Sequence, residues 1–400
     1  LDILILDEGF PYPLNSGKRI RTFNLVSRLA RNHRVRYLAY GHSRGDSRRE
    51  LETAGIETIA VKQQVPGKSG PVFYARLAAN LLSSEPYVVS SHHSADFRKA
   101  VQAAISNRKP DVVIAEWTPY SMYFDTCAHL KRVIVAHNVE TDIWKRYYDN
   151  ETNRVKKWYI RRQMEKMERF ERGAFGSADG ATAVSERDAE VIRSFNPRML
   201  VSVIDNGVDL DYFAAATDDR RRSSKLVFTG AMDWRPNQDA VMFFVDAVYP
   251  LLREKYPGIE AAFVGRNPPG QIARLGTMAG ITVTGTVDDI RPHVRDAAVY
   301  VVPMRIGGGS RLKILEALAM GIPVVSTTVG AEGLDVMDGE NILIADSPVE
   351  FVRQVGNLLG NRELAARLGS AGRELVERRY GWDFIAGKLE RFLDDVVWPA

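Results

Sequence analysis

The sequence predicts an α/β protein made of two doubly wound domains, and three observations lead there. The chain has 400 residues, too long for one ordinary core. Short runs of β-branched and aliphatic residues alternate with longer amphipathic stretches through both halves, the pattern of strand–helix units on a parallel sheet. Charge also divides the chain. Residues 1–205 carry 32 Lys and Arg against 24 Asp and Glu, and residues 206–400 carry 22 against 26. The halves therefore face different partners.

In the first half the expected strands are LDILIL (1–6), RVRYLAY (34–40), DVVIAEW (111–117), RVIVAHN (132–138) and ATAVS (181–185). In the second they are KLVFTG (225–230), EAAFVG (260–265), ITVTGTV (281–287), VYVVPM (299–304) and PVVSTT (323–328). Several are apolar without alternation, as parallel strands covered on both faces should be. Between them lie helical patterns at IRTFNLVSRLARN (20–32), AVMFFVDAVYPLLREKY (240–256) and PVEFVRQVGNLLG (348–360). Asn-Gly, small residues and a charge run mark a seam at 204–225. The expected organisation is a first domain at 1–205, a second at 206–380, and a final helix at 381–400 that returns to the first. Ligands in such sheets bind beyond the carboxyl ends of the strands, so a cleft between the two domains is the expected site.

Composition excludes several classes. Cys127 is the only cysteine, so there is no internal disulfide and no cysteine-rich metal site. The seven histidines show no zinc spacing. No apolar run reaches the roughly 20 residues that cross a bilayer. The first residues meet Asp7 and Glu8 too soon for a signal peptide. A cytoplasmic protein is expected.

The stretch MRIGGGSRLKILEALAMGIPVVST (304–327) has an uncommon electrostatic layout. Glycines and Ser310 open a helical pattern, and Arg311 and Lys313 follow at once, where the helix end disfavours cations. Ser310 can cap this helix, Gly321 can end it, and Pro323 stops its continuation. Leu312, Leu315, Leu318 and Ala319 form the packing side. Glu316 lies one turn beyond Lys313 and faces the same way. Free backbone N–H groups after a glycine-rich turn, strengthened by two cations, make a phosphate site. The alternative is a tight turn with two solvated cations. The spacing is not that of a P-loop or a dinucleotide fingerprint.

These residues resemble the retaining glycosyltransferases of family 4, which have the GT-B fold of two Rossmann-like domains facing each other across a cleft. The matching segments are VIDNGVDLDYF (203–213), FTGAMDWRPNQDAVMFF (228–244), AFVGRNPP (262–269), TGTVDDIRPHVRDAAVYVVPM (284–304), the glycine stretch through Leu334, and RRYGWDFIAGKL (378–389). FPYPLNSGKRIRTFNLVSRLARNHRV (10–35), AHNVET (136–141) and ATAVSERD (181–188) fit in the first half. The resemblance implies that Glu316 accepts hydrogen bonds from the donor ribose, and that backbone at Gly308, Gly309 and Ser310 meets the donor sugar or pyrophosphate. Gly17 matches a loop glycine that lets the first domain approach the donor phosphates, or is a plain helix-start glycine. Arg266 and Met304 complete the donor side. His137 matches a histidine aimed at the donor sugar. Glu116 and Glu140, near strand ends, are candidates for acceptor contacts, with solvated loop carboxylates as the alternative.

Two departures stand out. Gly308 occupies the place of the first glutamate of a paired-glutamate motif. Ala231 and Pro236 replace the phosphate-binding Arg and Lys after the first strand of the second domain, leaving Arg235 one position away. Arg311 and Lys313 are then the expected substitutes at the donor pyrophosphate.

The activity implied is transfer of a hexose from a nucleotide sugar, expected to be UDP-linked, to a glycan or lipid-linked acceptor. Anomeric configuration is retained and neither metal nor cofactor is required. A UDP-N-acetylglucosamine 2-epimerase and a catalytically silent nucleotide-sugar-binding partner are the alternatives. The basic helical pattern at 153–175, with Trp158, Tyr159, Ile160 and Phe170 interleaved, is either a solvated helix or a contact with an anionic membrane surface, which would make the protein peripheral. No nucleic-acid motif accompanies it.

Overall fold

Apolar runs in both halves become the strands of two parallel sheets. The computed structural model describes residues 1–41, 46–62, 70–215, 224–306 and 311–399. Contacts divide the chain into one unit of Leu1–Asp205 with Ile385–Ala400 and a second of Asn206–Phe384.

The first unit holds β1 (Asp2–Asp7), β2 (Arg34–Tyr40), β3 (Glu57–Val61), β4 (Val112–Ala115), β5 (Lys131–Val135), β6 (Gly180–Ala183) and β7 (Leu200–Val203). Among the described residues they form a sheet of order β3-β2-β1-β4-β5-β6-β7, parallel throughout. The order reverses direction between β1 and β4, which makes their carboxyl ends the crevice of this unit. Ser16 caps the helix Gly17–Asn32 that follows β1, accepting from the Arg19 N–H. Buried Arg21 on this helix donates to the carbonyls of Ile204 (2.7 Å) and Asp205 (2.6 Å), anchoring the segment after β7.

The helix Trp382–Val397 starts within the second unit, and its larger part belongs to the first. There Phe392 and Val396 lie against Gly180, where a Cβ would come within 2.9 and 2.7 Å of their side chains. Lys388 pairs with Asp205 at 2.6 Å, and Asn32 donates to Glu390 at 3.1 Å.

The second unit holds β8 (Lys225–Thr229), β9 (Glu260–Val264), β10 (Ile281–Val283), β11 (Val299–Val302), β12 (Val324–Ser326) and β13 (Leu343–Ile344). Their order is β10-β9-β8-β11-β12-β13, again parallel, with the reversal between β8 and β11. Behind β8 and β9 the backbone is crowded. A Cβ on Gly265 would sit 1.8 Å from the Gly230 carbonyl oxygen.

Several expected elements are shorter or divided. The run expected at 281–287 ends at Val283, because Gly285 turns the chain with φ +71°. The helix expected over 240–256 is three pieces: Arg235–Phe243, a π-helical turn at Phe244–Val248, and Tyr249–Lys255, where Pro250 removes a backbone donor.

Candidate functional site

In the first unit the crevice between β1 and β4 contains a connected set of polar side chains. Glu116 follows β4 and is buried. Its carboxylate accepts from the Thr22 hydroxyl at 2.7 Å, which joins the strand end to the helix Gly17–Asn32. His137 follows β5. Its Nε2 lies 2.9 Å from the Glu116 carbonyl oxygen and 3.3 Å from Glu116 Oε1. Burial alone would raise the Glu116 carboxyl, but the hydrogen bond and charge of His137, the Thr22 hydroxyl and the Lys18 charge hold it below the usual carboxylate range.

Beside this pair, Lys18 donates to Asp7 at 2.7 Å and Glu8 at 3.0 Å, and Tyr37 donates to Asp7 at 2.6 Å. Burial would lower the Lys18 ammonium, but the two carboxylates hold it above its ordinary value. Burial raises the Asp7 carboxyl against the pull of Lys18. A cavity of about 440 Å³ opens onto Asp7, Glu8, Lys18 and Thr22, with Tyr12 and Arg19 on its wall. Gly17 is the first residue of the capped helix and brings Lys18 to this cavity.

Glu140 opens the helix Glu140–Asn150. Its backbone N–H donates to Glu171 at 2.7 Å, and its carboxylate accepts from Trp117 Nε1 at 2.7 Å. Burial pushes its carboxyl up to about 7, with the Trp117 hydrogen bond opposing and the Glu171 charge assisting. Reading Glu116 and Glu140 as solvated loop carboxylates is therefore wrong: both are buried and hydrogen-bonded. Their partners Thr22 and Trp117 stand on other elements, which no local pattern reveals.

In the second unit the helices that follow β8 and β11 converge at the reversal of strand order. Lys313, one residue into the helix Leu312–Ala319, donates to Asn237 Oδ1 at 2.7 Å, on the helix that follows β8. Its ammonium also lies 4.1 Å from the centre of the Phe228 ring. Glu316 lies on the same helix and is partly exposed. Its carboxylate has no hydrogen-bond partner among the described residues. Dense protein surroundings push Lys313 down to about 7, with Glu316 opposing and Arg311 assisting. They push Glu316 up to about 7, with Lys313 opposing.

Arg311 is buried and bound to Glu332, through its Nε to the carbonyl at 3.3 Å and an amino group to Oε2 at 3.2 Å. Arg235 starts the helix after β8 as an exposed side chain. Arg266 is 3.9 Å from Asp233. The Met304 side chain is in the hydrophobic core, and its carbonyl accepts from the Thr327 hydroxyl. Gly308, Gly309 and the expected cap Ser310 lie outside the described residues. The described helix begins at Leu312, with Arg311 in the cap position and no side-chain cap. Ile314 is buried on its packing side, whereas Leu312 is partly exposed. The sequence reading missed Thr22, Lys18, Asp7, Tyr37 and Trp117. Asp7 and Glu8 closing an apolar first strand, with Lys18 just inside the next helix, were the available signal.

The family model described as Glycosyltransferase Family 4 matches residues 16–212, and that described as Glycosyl transferases group 1 matches residues 223–361. The chain belongs to the family 4 glycosyltransferases. A GDP-mannose-dependent alpha-(1-6)-phosphatidylinositol monomannoside mannosyltransferase of Mycobacterium tuberculosis is 29% identical over 224 residues, covering 50% of this chain and 57% of its own. A phosphatidyl-myo-inositol mannosyltransferase of Mycobacterium bovis is 31% identical over 207 residues, covering 48% of this chain and 54% of its own. The chain thus spans little more than half the length of these relatives. The crystal structure of Anabaena HepE in complex with UDP and glucose superposes with a TM-score of 0.66 at 15% identity, covering 98% of this family 4 chain and 99% of HepE. At that identity the likeness concerns the fold, which is GT-B.

Proposed function

We propose that this family 4 chain is a glycosyltransferase that moves a hexose from a nucleotide-sugar donor to a glycan or lipid-linked acceptor with retention. The observation that carries the reading is the Glu316 carboxylate, partly open beside Lys313 at the strand-order reversal of the second unit, with no protein hydrogen-bond partner among the described residues. Such a group is suited to accept from two adjacent ribose hydroxyls, which favour its ionised form. Lys313 and the exposed Arg235 supply positive charge for a pyrophosphate as the glycosidic bond breaks, without need of a protein-held metal. The family resemblance assigns His137 to the donor sugar, and in this reading the leaving phosphate takes the acceptor proton in a front-face substitution.

The proposed donor is UDP-linked. GDP-mannose is the second reading, favoured by the GDP-mannose dependence of the mannosyltransferase relative. Native mass spectrometry and calorimetry with UDP-, GDP- and ADP-sugars decide between them, and the anomeric coupling in the NMR spectrum of the product tests retention. Binding to none of these nucleotides sinks the proposal.

Among the described residues no helix is long and apolar enough to cross a membrane. We propose that the basic helix attaches the protein peripherally to an anionic bilayer on the cytoplasmic side. Its exposed Val155 and Trp158 support this.

A further inference from the structure

The basic helix, Arg154–Ser177, does not stand alone. It meets the Asn80 end of the helix Pro71–Asn80 and the turn that follows, a segment that carried no signal in the sequence. Buried Gln163 donates to Asn80 Oδ1 at 2.9 Å, and buried Lys166 donates to the Asn80 carbonyl at 2.6 Å. Two cavities flank this junction and share Leu81 and Trp158 as a common wall.

One cavity, of about 440 Å³, is apolar, lined mainly by Leu77, Leu81, Val155, Trp158 and Ile160. Glu151 at its edge is engaged by the Asn153 N–H. The other, of about 420 Å³, brings Arg162, Lys166 and Arg169 together beside Trp158, Leu82 and two serines. Arg162 pairs with Glu165 at 3.2 Å. Lys166 and Arg169 donate to backbone carbonyls, those of Asn80 and Glu165, and meet no carboxylate among the described residues. Two positive charges thus stay unneutralised in a pocket whose neighbour is greasy. The surroundings are also apolar and open: Leu82 is 95% exposed, Tyr74 67% and Val72 64%. Soluble surfaces rarely carry such a patch without a partner.

We propose that this pair of cavities is a site for one anionic phospholipid of the bilayer. The headgroup phosphate sits among Arg162, Lys166 and Arg169, and the upper part of an acyl chain lies across Trp158 in the apolar groove. The proposal rests on the peripheral attachment proposed above and makes it specific. Helix geometry turns the headgroup away from the candidate site, because exposed Arg169 and buried Glu171 stand about 200° apart round the helix at 3.6 residues per turn. Trp158 and Glu171, the residue that holds the Glu140 N–H, are separated by about 20 Å along the helix at 1.5 Å per residue. The lipid is therefore a tether and not the acceptor.

The test uses the full chain with phosphatidylcholine vesicles, with and without phosphatidylglycerol, and compares R169E, W158A and K157E. Lys157 is on the same helix, over the Tyr148 ring at 4.7 Å, outside both cavities, and its replacement changes charge equally. R169E should weaken binding to the anionic vesicles at least about tenfold more than K157E, since only one of them removes a phosphate contact. W158A should weaken it about tenfold as well and abolish quenching of tryptophan fluorescence by bromine-labelled lipid chains. Thermal unfolding of each variant confirms that it is folded. Equal losses in R169E and K157E with no effect of W158A overturn the discrete site and leave diffuse attachment standing. No wild-type binding even at low salt removes the attachment and the site together. If R169E instead raises the acceptor KM in detergent while vesicle binding persists, the occupant is the acceptor and the proposal is wrong. Loss of a dimer in W158A without lipid would assign the groove to a second copy, with the same consequence.

Discussion

Nε2 of His137 lies 2.9 Å from the carbonyl oxygen of Glu116 and 3.3 Å from that residue's carboxylate. Both are acceptors, so Nε2 carries the proton, and the ring is left with Nδ1 as its free functional atom.

Glu116→Gln preserves the shape of this contact and removes its charge. Turnover should fall roughly ten- to a hundredfold, the scale of general acid–base effects, while donor affinity stays within about threefold. His137→Ala should reproduce the loss and add nothing when combined with it. Steady-state kinetics of the two single variants and the double variant check this; additive losses mean that the residues act independently.

Glu316 titrates abnormally, and the sign of its effect on stability is fixed. Its folded carboxyl is raised from 4.5 to about 7, so the folded state binds more protons between those values and stability falls as pH rises through that window. Glu316→Gln should therefore gain on wild type from pH 4.5 to about 7 and keep a constant lead above. The lead should be roughly 1–2 kcal/mol, less than the full shift implies because the side chain is partly exposed. Denaturant unfolding across this range measures it, and parallel pH profiles for the two proteins contradict it.

Lys313 and Arg311 should behave oppositely. Lys313→Met removes an ammonium whose buried charge is disfavoured. Its gain in stability should be largest below pH 7 and shrink as pH rises towards 10.5, because the folded pKa is lowered to about 7. Arg311→Ala empties a buried site, at a cost of about 2–4 kcal/mol, while the exposed Glu332 carboxylate returns to water. Thermal melts at pH 6 and pH 9 separate the two. Stabilisation by Arg311→Ala would mean that the Glu332 pairing contributes little.

Gly265→Ala places a methyl group 1.8 Å from a backbone oxygen that no rotamer can move. A loss of at least about 3 kcal/mol is expected, beyond ordinary overpacking. Urea unfolding of the variant checks it; a cost under about 1 kcal/mol would show that the β8 and β9 ends shift apart readily.

The apolar runs made most of the two sheets legible, and the strands that escaped are those with weak runs. Leu200–Val203 is partly exposed along its length, Glu57–Val61 is short and mixed, and Leu343–Ile344 has two residues. The proximity of Glu316 to Lys313 was legible because their spacing is a helix property. Arg311 was misjudged. Charge at a helix start looks unfavourable until Glu332, 21 positions on, is seen to neutralise it. The Glu116 role was hidden in the same way, since Thr22 is 94 positions earlier and no periodicity connects them.

The helix Trp382–Val397 sets an order on how the chain comes into being. Gly180, the residue it covers through Phe392 and Val396, leaves the ribosome long before those two side chains are made. At about 5–20 residues per second, synthesis of the intervening segment takes roughly ten seconds to more than half a minute. Throughout that time the nascent first sheet has an uncovered flank. The second unit can finish first, although it is translated later.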